Sequence, residues 1–373
     1  MVPLQCNEIS RARLRVSKYH ALGNSYLVLD PRNTEGANYW LIKREDGSIR
    51  PSTDVVRWLC DSSRGIGSNG LLFGPTDILD SNTFGLCIIN SDGTYSGFSG
   101  NGIRIFAKYL LDEAYTSPGA SLVVQPLLDD GGNARTAVPV QTSRSENGCI
   151  DVTLPYPPRF GPGAIGAECN SISALPDGGK GLSFAVDALA TVGAALTGVQ
   201  EAWKNSTFVD VGNPHCTTFV QNSAHLPSRQ QLRSCDDALR AISFRPDSKV
   251  DITPTFAHGA NLQWIRVRNR SEIDLVVYER GEGPTDASGS SASAAACAAF
   301  ARGLIGSNIT VNMPGGSLAI RILADADKIR SVTLSGFATR ILEAYVDIPL
   351  PDTRHLSEAK SMGPLSEPQC PPR

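Results

Sequence analysis

Basic excess is missing from this sequence: 34 lysines and arginines stand against 37 aspartates and glutamates, for a formal charge of -3. Binding along a phosphate backbone needs clustered positive charge, so nucleic acid is not the expected partner. CxxC pairs and metal-ligand spacings are missing too, although there are nine cysteines. Their scatter argues against a disulfide framework and against a zinc site, and reads as reduced thiols of an intracellular protein. No apolar signal-peptide core develops near the start, where Asn7, Glu8, Arg11 and Arg13 intervene, so a cytoplasmic location is the expectation. The longest apolar stretch, 184–199, is broken by Asp187 and rich in small residues; it suits a buried helix better than a membrane span.

What is present is an ordinary globular composition, 41% hydrophobic and 19% charged over 373 residues, long enough to bury a large core in two domains without staples. Strand-like runs at 13–16, 26–30, 86–90, 122–125, 136–141 and 150–154 outnumber helices in the first part, which predicts an α+β fold rather than a doubly wound one. Thr53 and Asp54 predict the cap of a short helix running to Cys60, and 33–52 reads as an exposed loop insertion. Pro155, Pro157, Pro158 and Pro162 mark a connector. Helical stretches are expected within 182–203 and 229–242, and strands at 207–211, 217–220, 262–267, 273–278, 308–312, 318–322, 331–334 and 342–346. The proline-rich segment 351–373 has no apolar period and reads as a disordered tail.

One motif occurs twice. Phe98-Ser99-Gly100-Asn101-Gly102 runs into the apolar stretch 103–111, and Ala287-Ser288-Gly289-Ser290-Ser291 runs into 292–300. Each is a serine, then small polar residues, then a helix, and the two serines stand about one domain length apart. Two similar halves facing each other across a cleft would account for the echo. A helix start leaves its first N–H groups unpaired and carries partial positive charge, so two such starts in one cleft can hold a carboxylate and stabilise an enolate-like transition state. Alternatively, Ser99 and Ser288 serve only as N-caps.

Lys18-Tyr19-His20-Ala21-Leu22-Gly23-Asn24-Ser25, Arg64-Gly65-Ile66-Gly67-Ser68-Asn69-Gly70 and Asn90-Ser91-Asp92-Gly93-Thr94, followed by Ser99-Gly100-Asn101-Gly102-Ile103-Arg104, resemble motifs of the diaminopimelate epimerases. Gly212-Asn213-Pro214-His215, Gly259-Ala260-Asn261-Leu262 and Glu279-Arg280-Gly281-Glu282-Gly283-Pro284-Thr285-Asp286-Ala287-Ser288-Gly289 continue the resemblance in family order across 18–347. It implies two pseudo-symmetric domains, each a mixed sheet wrapped around a central helix, with an active site in the cleft between them. The expected boundaries are 12–145 plus 339–349 for the N-terminal domain and 146–338 for the C-terminal one, with 350–373 as tail. The resemblance further implies an isomerase, epimerase or cyclase that needs neither pyridoxal phosphate nor metal and acts on a small amino-acid-like carboxylate, and it makes a homodimer reasonable. Substrate contacts carried over from it are Asn24, Asn90, Asn213, Asn261, Glu279 and Arg280, with Gly100, Asn101, Gly289 and Ser290 as the helix-start groups. His215 is expected beside Ser99, and Glu279 beside Ser288.

The family places a cysteine at each of the positions occupied here by Ser99 and Ser288. A thiol titrates near ~8.5, whereas a serine hydroxyl is a far weaker acid that needs a base beside it, so a mechanism diverging from two-thiol epimerisation is expected. Cys216 should point away from the face that carries His215, and Cys297, about 13 Å along its helix from Ser288, reads as core. Pro284, Asp286 and Ser291 replace the family's usual Glu, apolar residue and Gly. Asp286 is therefore a candidate general base, with a solvated cap as its alternative. His20 reads as a backbone-bonding residue, Trp203 and Trp264 as packing. Arg104 is equally suited to a domain carboxylate or to substrate. Two further functions stay open: a non-catalytic carboxylate-binding protein derived from an epimerase, and a diaminopimelate epimerase whose cysteines were engineered to serine.

Overall fold

A computed structural model of the chain describes residues 13–35, 40–43, 49–76, 78–126, 138–142, 149–165, 172–199, 201–243, 256, 259–326 and 328–347. The expected tail at 350–373 and the cysteines Cys6, Cys169 and Cys370 lie outside them. Strand pairing is the organising feature, and it occurs twice in the same order. In the first half Arg13–Ala21 pairs antiparallel with Asn24–Leu29, which pairs parallel with Gly70–Phe73. Thr83–Asn90 follows antiparallel, Ser121–Pro126 parallel, then Val138–Thr142 and Cys149–Thr153 antiparallel. In the second half Ser206–Asp210 pairs antiparallel with Pro214–Phe219, which pairs parallel with Asn261–Asn269. Glu272–Glu279 follows antiparallel, Asn308–Met313 parallel, then Gly316–Asp325 and Lys328–Phe337 antiparallel.

The two halves join edge to edge where Cys149–Thr153 pairs with Lys328–Phe337. The last strand, Thr339–Asp347, returns to pair with Arg13–Ala21, and Arg159–Phe160 makes the corresponding pair with Ser206–Asp210. This is the α+β architecture that the sequence predicts, with mixed sheets and a central helix in each half.

Helix α1 spans Thr53–Cys60, α2 Gly100–Asp112, α3 Asp187–Thr197, α4 Arg229–Ser234, α5 Asp236–Ser243 and α6 Gly289–Ala301. The long helices α2 and α6 share one core with the strands of both halves. Ile103, Phe106 and Leu110 of α2 are fully buried, each contributing about 2 kcal/mol of apolar transfer free energy. Helix α6 is buried from Gly289 to Ala299; its alanines keep helix propensity high, and its small side chains let strands approach from every side. At the far end of α2, Asp112 accepts from Tyr19 Oη at 2.9 Å, and Arg340 Nε donates to the same Tyr19 oxygen at 2.7 Å. That network fixes α2 to the first and last strands.

Several local expectations are corrected. The segment 33–52 contributes a short antiparallel pair, Leu41–Lys43 with Ile49–Pro51, while 36–39 and 44–48 lie outside the described residues. Trp40 and Leu41 are buried in a satellite core, which is why this stretch is not simply exposed. Ser52, not Thr53 or Asp54, caps α1 by accepting from Val55 N–H at 3.3 Å. The stretch 229–242 breaks at Cys235 into α4 and α5.

Other readings agree with the fold. Trp203 and Trp264 are buried with ring centroids 4.6 Å apart, His20 Nδ1 accepts from Gly23 N–H at 3.3 Å, and Cys297 is core. Cys60, Cys87, Cys149, Cys216, Cys235 and Cys297 are free. Among the described residues no helix is long and apolar enough to cross a membrane.

Candidate active site

The starts of α2 and α6 meet. A Cβ placed on Gly289 would lie 3.3 Å from Gly100 Cα, and one on Gly100 would lie 3.5 Å from Gly289 Cα. Glycine at both positions lets the two backbones approach this closely. Ser99 caps α2, its Oγ accepting from Gly102 N–H at 3.0 Å, and Ser288 caps α6, its Oγ accepting from Ser291 N–H at 3.4 Å. Both serines therefore cap their helices, which leaves the N–H groups of Gly100, Asn101, Gly289 and Ser290 without intrahelical partners. Neither helix has an acidic residue in its first turn to cancel the positive end of its dipole.

These groups line one polar cavity of about 210 Å³, together with Asn24, Asn90, Ser99, Asn213, Asn261, Glu279, Arg280 and Ser288. That volume suits a molecule of amino-acid size. The asparagines are held by the turns and strands of both halves. Asn90 Nδ2 donates to Thr94 Oγ1 at 2.9 Å, Asn213 Nδ2 donates to Ser290 Oγ at 3.4 Å, and Asn261 Oδ1 accepts from Arg280 N–H at 2.9 Å. Asn101 bridges the halves by donating to the Ala287 carbonyl at 3.3 Å while accepting from Arg104 Nη2 at 2.7 Å. Its side chain is thus committed, and its backbone N–H is the group that faces a ligand.

Glu279 ends a strand of the second half beside α6. Burial raises its pKa above the ordinary carboxylate range, and the nearby hydroxyls of Ser288 and Thr285 offset part of that rise. A carboxylate with a raised pKa, in contact with a hydroxyl at the edge of a cavity, is equipped to accept a proton.

Two candidates stand apart from the cavity. Asp286, considered as a general base, is 44% exposed and paired with Arg229 Nη1 at 2.6 Å; it lies in the bend between the strand ending at Thr285 and α6, turned to the surface, where a cation holds it. His215 is fully buried. Its Nε2 lies 2.9 Å from Asn213 Oδ1 and its Nδ1 3.1 Å from Gln263 Oε1, and burial holds its pKa down to about 4. It braces Asn213 from behind, so the expected place beside Ser99 is taken by another residue. Cys216 packs in a separate cluster with Phe208 and Trp264, on the opposite face of the strand as alternation requires. Arg104 meets neither a carboxylate nor the cavity: it is fully buried, bonds Asn101, and has its pKa lowered to about 10 by that burial. Among the described residues no group of three or more His, Cys, Asp or Glu is placed to hold a metal ion.

The residue beside Ser99 is Tyr26, which sequence reasoning missed. Its Oη lies 3.3 Å from Ser99 Oγ and it lines the cavity. A signal was available, because Tyr26 stands two positions after Asn24 on one strand and so shares its face. Asn69, Ser96, Phe98, Glu282, Thr285 and Ala287 also line the cavity.

The close approach of Gly100 and Gly289 gives a direct prediction. Gly289→Ala places a methyl 3.3 Å from Gly100 Cα, a few tenths of an ångström inside ordinary contact, and parting the two backbones enough to admit it costs about 1 kcal/mol. Denaturant unfolding should show that loss together with weakened carboxylate binding; an unchanged midpoint would mean that the helix starts are not in contact.

The family model for diaminopimelate epimerase matches residues 207–340. A curated diaminopimelate epimerase 2 from Nostoc sp. is 29% identical over 348 residues, covering 90% of this chain and all of that protein. The diaminopimelate epimerase of Burkholderia thailandensis is 27% identical, over 90% of this chain and 99% of its own length. Among solved structures, a hydroxyproline epimerase from Agrobacterium vitis with bound trans-4-hydroxy-L-proline superposes with a TM-score of 0.54 at 12% identity, covering 94% of this chain and 98% of that one. A phenazine biosynthesis protein of the PhzF family from Bacillus anthracis also gives 0.54 at 13% identity, covering 90% of this chain and 99% of that one. The chain thus has the diaminopimelate epimerase fold, and its sequence is related to those epimerases over 90% of its length.

Proposed function

We propose that the chain is a cofactor-independent isomerase that moves a proton at the carbon next to a carboxylate of a small, amino-acid-like substrate. The observation that carries this reading is the contact of two helix starts in one polar cavity with Glu279 at its side. The substrate carboxylate sits on the N–H groups of Gly100, Asn101, Gly289 and Ser290. As the α C–H bond breaks, its electron pair flows into the carboxylate, and those four donors meet the developing enolate charge. Glu279 receives the proton through Ser288, whose hydroxyl passes on its own proton as it takes the new one. The opposite face of the same carbon is served by the Ser99 hydroxyl. Asn24, Asn90, Asn213, Asn261 and Arg280 hold the polar remainder of the substrate, as the curated relatives named for diaminopimelate suggest. With serine on both flanks, proton transfer runs on a carboxylate and hydroxyls rather than on two thiols.

Incubation in heavy water with a panel of diaminopimelate, glutamate, proline and the corresponding hydroxy acids tests this reading. One panel member should gain deuterium at its α-carbon, with conversion to its epimer or isomer. A carboxylate-binding protein without turnover is the second reading, favoured by the engagement of both serines as helix caps. Tight binding without label across the panel would establish it and remove the isomerase.

A further inference from the structure

The two hydroxyls that flank the cavity are not equivalent. Ser288 Oγ accepts from Ser291 N–H at 3.4 Å and stands 3.4 Å from Ser290 Oγ, and the cavity carboxylate of Glu279 lies beside it; with Glu279 ionised, the Ser288 proton turns to that carboxylate and one oxygen lone pair is left for the substrate. Ser99 Oγ already accepts from Gly102 N–H at 3.0 Å, and Tyr26 Oη stands 3.3 Å away. Of the two hydroxyls a phenol is the stronger acid, so Tyr26 donates and Ser99 Oγ accepts. With both lone pairs of Ser99 occupied, only its proton remains to be offered to the cavity.

The Tyr26 ring is 7% exposed and has one seat. A Cβ on Gly70, in the neighbouring parallel strand, would lie 2.8 Å from Tyr26 Cε1. Glycine at that position lets the ring press against the strand backbone, and the phenol is thereby aimed at the start of α2.

We propose that Tyr26 is the positioning residue that makes Ser99 the proton donor of this site, so that the cavity has an accepting flank at Glu279 and Ser288 and a donating flank at Tyr26 and Ser99. This inference rests on the isomerase reading above. In the donating step the Ser99 O–H bond breaks as its proton bonds to the substrate carbon, which supplies the electron pair of the enolate. The Tyr26 O–H proton moves to Ser99 Oγ in the same motion, and the charge comes to rest on a phenolate instead of a serine alkoxide. Burial pushes the Tyr26 phenol up to about 12, still a far easier proton to give up than that of an isolated serine hydroxyl. Solvent then returns a proton to the phenolate, and Glu279 releases the one it took. Nothing is oxidised or reduced.

The test is Tyr26→Phe, which keeps the ring and removes only the hydroxyl, measured in heavy water on LL- and meso-diaminopimelate and then on the rest of the panel. The wild type should label both epimers of its substrate and interconvert them. In Tyr26→Phe the epimer whose α-hydrogen faces Glu279 should still gain deuterium at close to the wild-type rate, while conversion and labelling of the other epimer fall by about 10²-fold. Ser99→Cys placed in the Tyr26→Phe background should restore conversion at least in part, because a thiol gives up its proton without a phenol behind it.

A purely structural role would lower labelling and conversion of both epimers together, and that result overturns the proposal, as does conversion that survives unchanged. If the wild type labels no member of the panel, the isomerase reading fails first and takes this role with it. If only Tyr26→Phe behaves otherwise than stated, the isomerase stands and the role of Tyr26 falls.

Discussion

Glu279→Gln is expected to abolish proton exchange and conversion together, by about 10³-fold. The amide matches the carboxylate in size and keeps an oxygen for Ser288, but it cannot take a proton at any accessible pH. The helix starts and asparagines are untouched, so carboxylate binding should persist and separate this loss from misfolding. The pH dependence has a definite sign. Burial raises the Glu279 pKa, and only the ionised form accepts a proton, so kcat/KM of the wild type should fall as pH drops through a value above the usual glutamate range near ~4.3. Exchange that persists in Glu279→Gln at wild-type rate would assign the base elsewhere.

The second large effect is on stability, at His215. Its pKa is lowered from 6.5 to about 4 because a fully buried ring resists charging. The unfolded chain therefore binds a proton more readily than the folded one between those values. The stability that this confers is complete above about pH 6.5, declines as pH falls, and is gone below about pH 4. The shift corresponds to about 3 kcal/mol. Glu279, with its pKa raised, works in the opposite direction, contributing stability at low pH that is lost as pH rises through its folded value. A comparison isolates the histidine: His215→Gln should flatten the fall in unfolding free energy between pH 6.5 and 4, with the Glu279 contribution common to both proteins. Equal slopes would mean that His215 charges freely in the folded state, contrary to its burial between Asn213 and Gln263.

The fold was legible because its determinants are local. Gly100 and Gly289 follow capping serines and open apolar runs, and that pattern repeats at a spacing of one domain, so the two central helices could be placed before any strand pairing was known. The gathering of Asn24, Asn90, Asn213, Asn261, Glu279 and Arg280 around the two helix starts follows once both halves take the same order of strands.

What sequence could not give is the direction in which a side chain leaves a turn. Asp286 stands two residues from Ser288, yet Arg229, remote in sequence, holds it at the surface. His215 lies on the favoured turn but on the inward face of its strand, where Gln263 of a neighbouring strand receives it. Tyr26 reaches Ser99 across elements that no local pattern links. The burial of Trp40 likewise depends on partners from other parts of the chain. In each case the deciding energy is a long-range contact, and periodicity is silent about it.

The proposed proton transfer requires a single carboxylate to be held by both helix starts at once. Backbone 15N–1H spectra of the protein titrated with diaminopimelate, or with whichever panel member it labels, measure this directly. The amide signals of Gly100, Asn101, Gly289 and Ser290 should move together along one saturation curve. Movement at one helix start while the other stays still, or two curves with different midpoints, would contradict it.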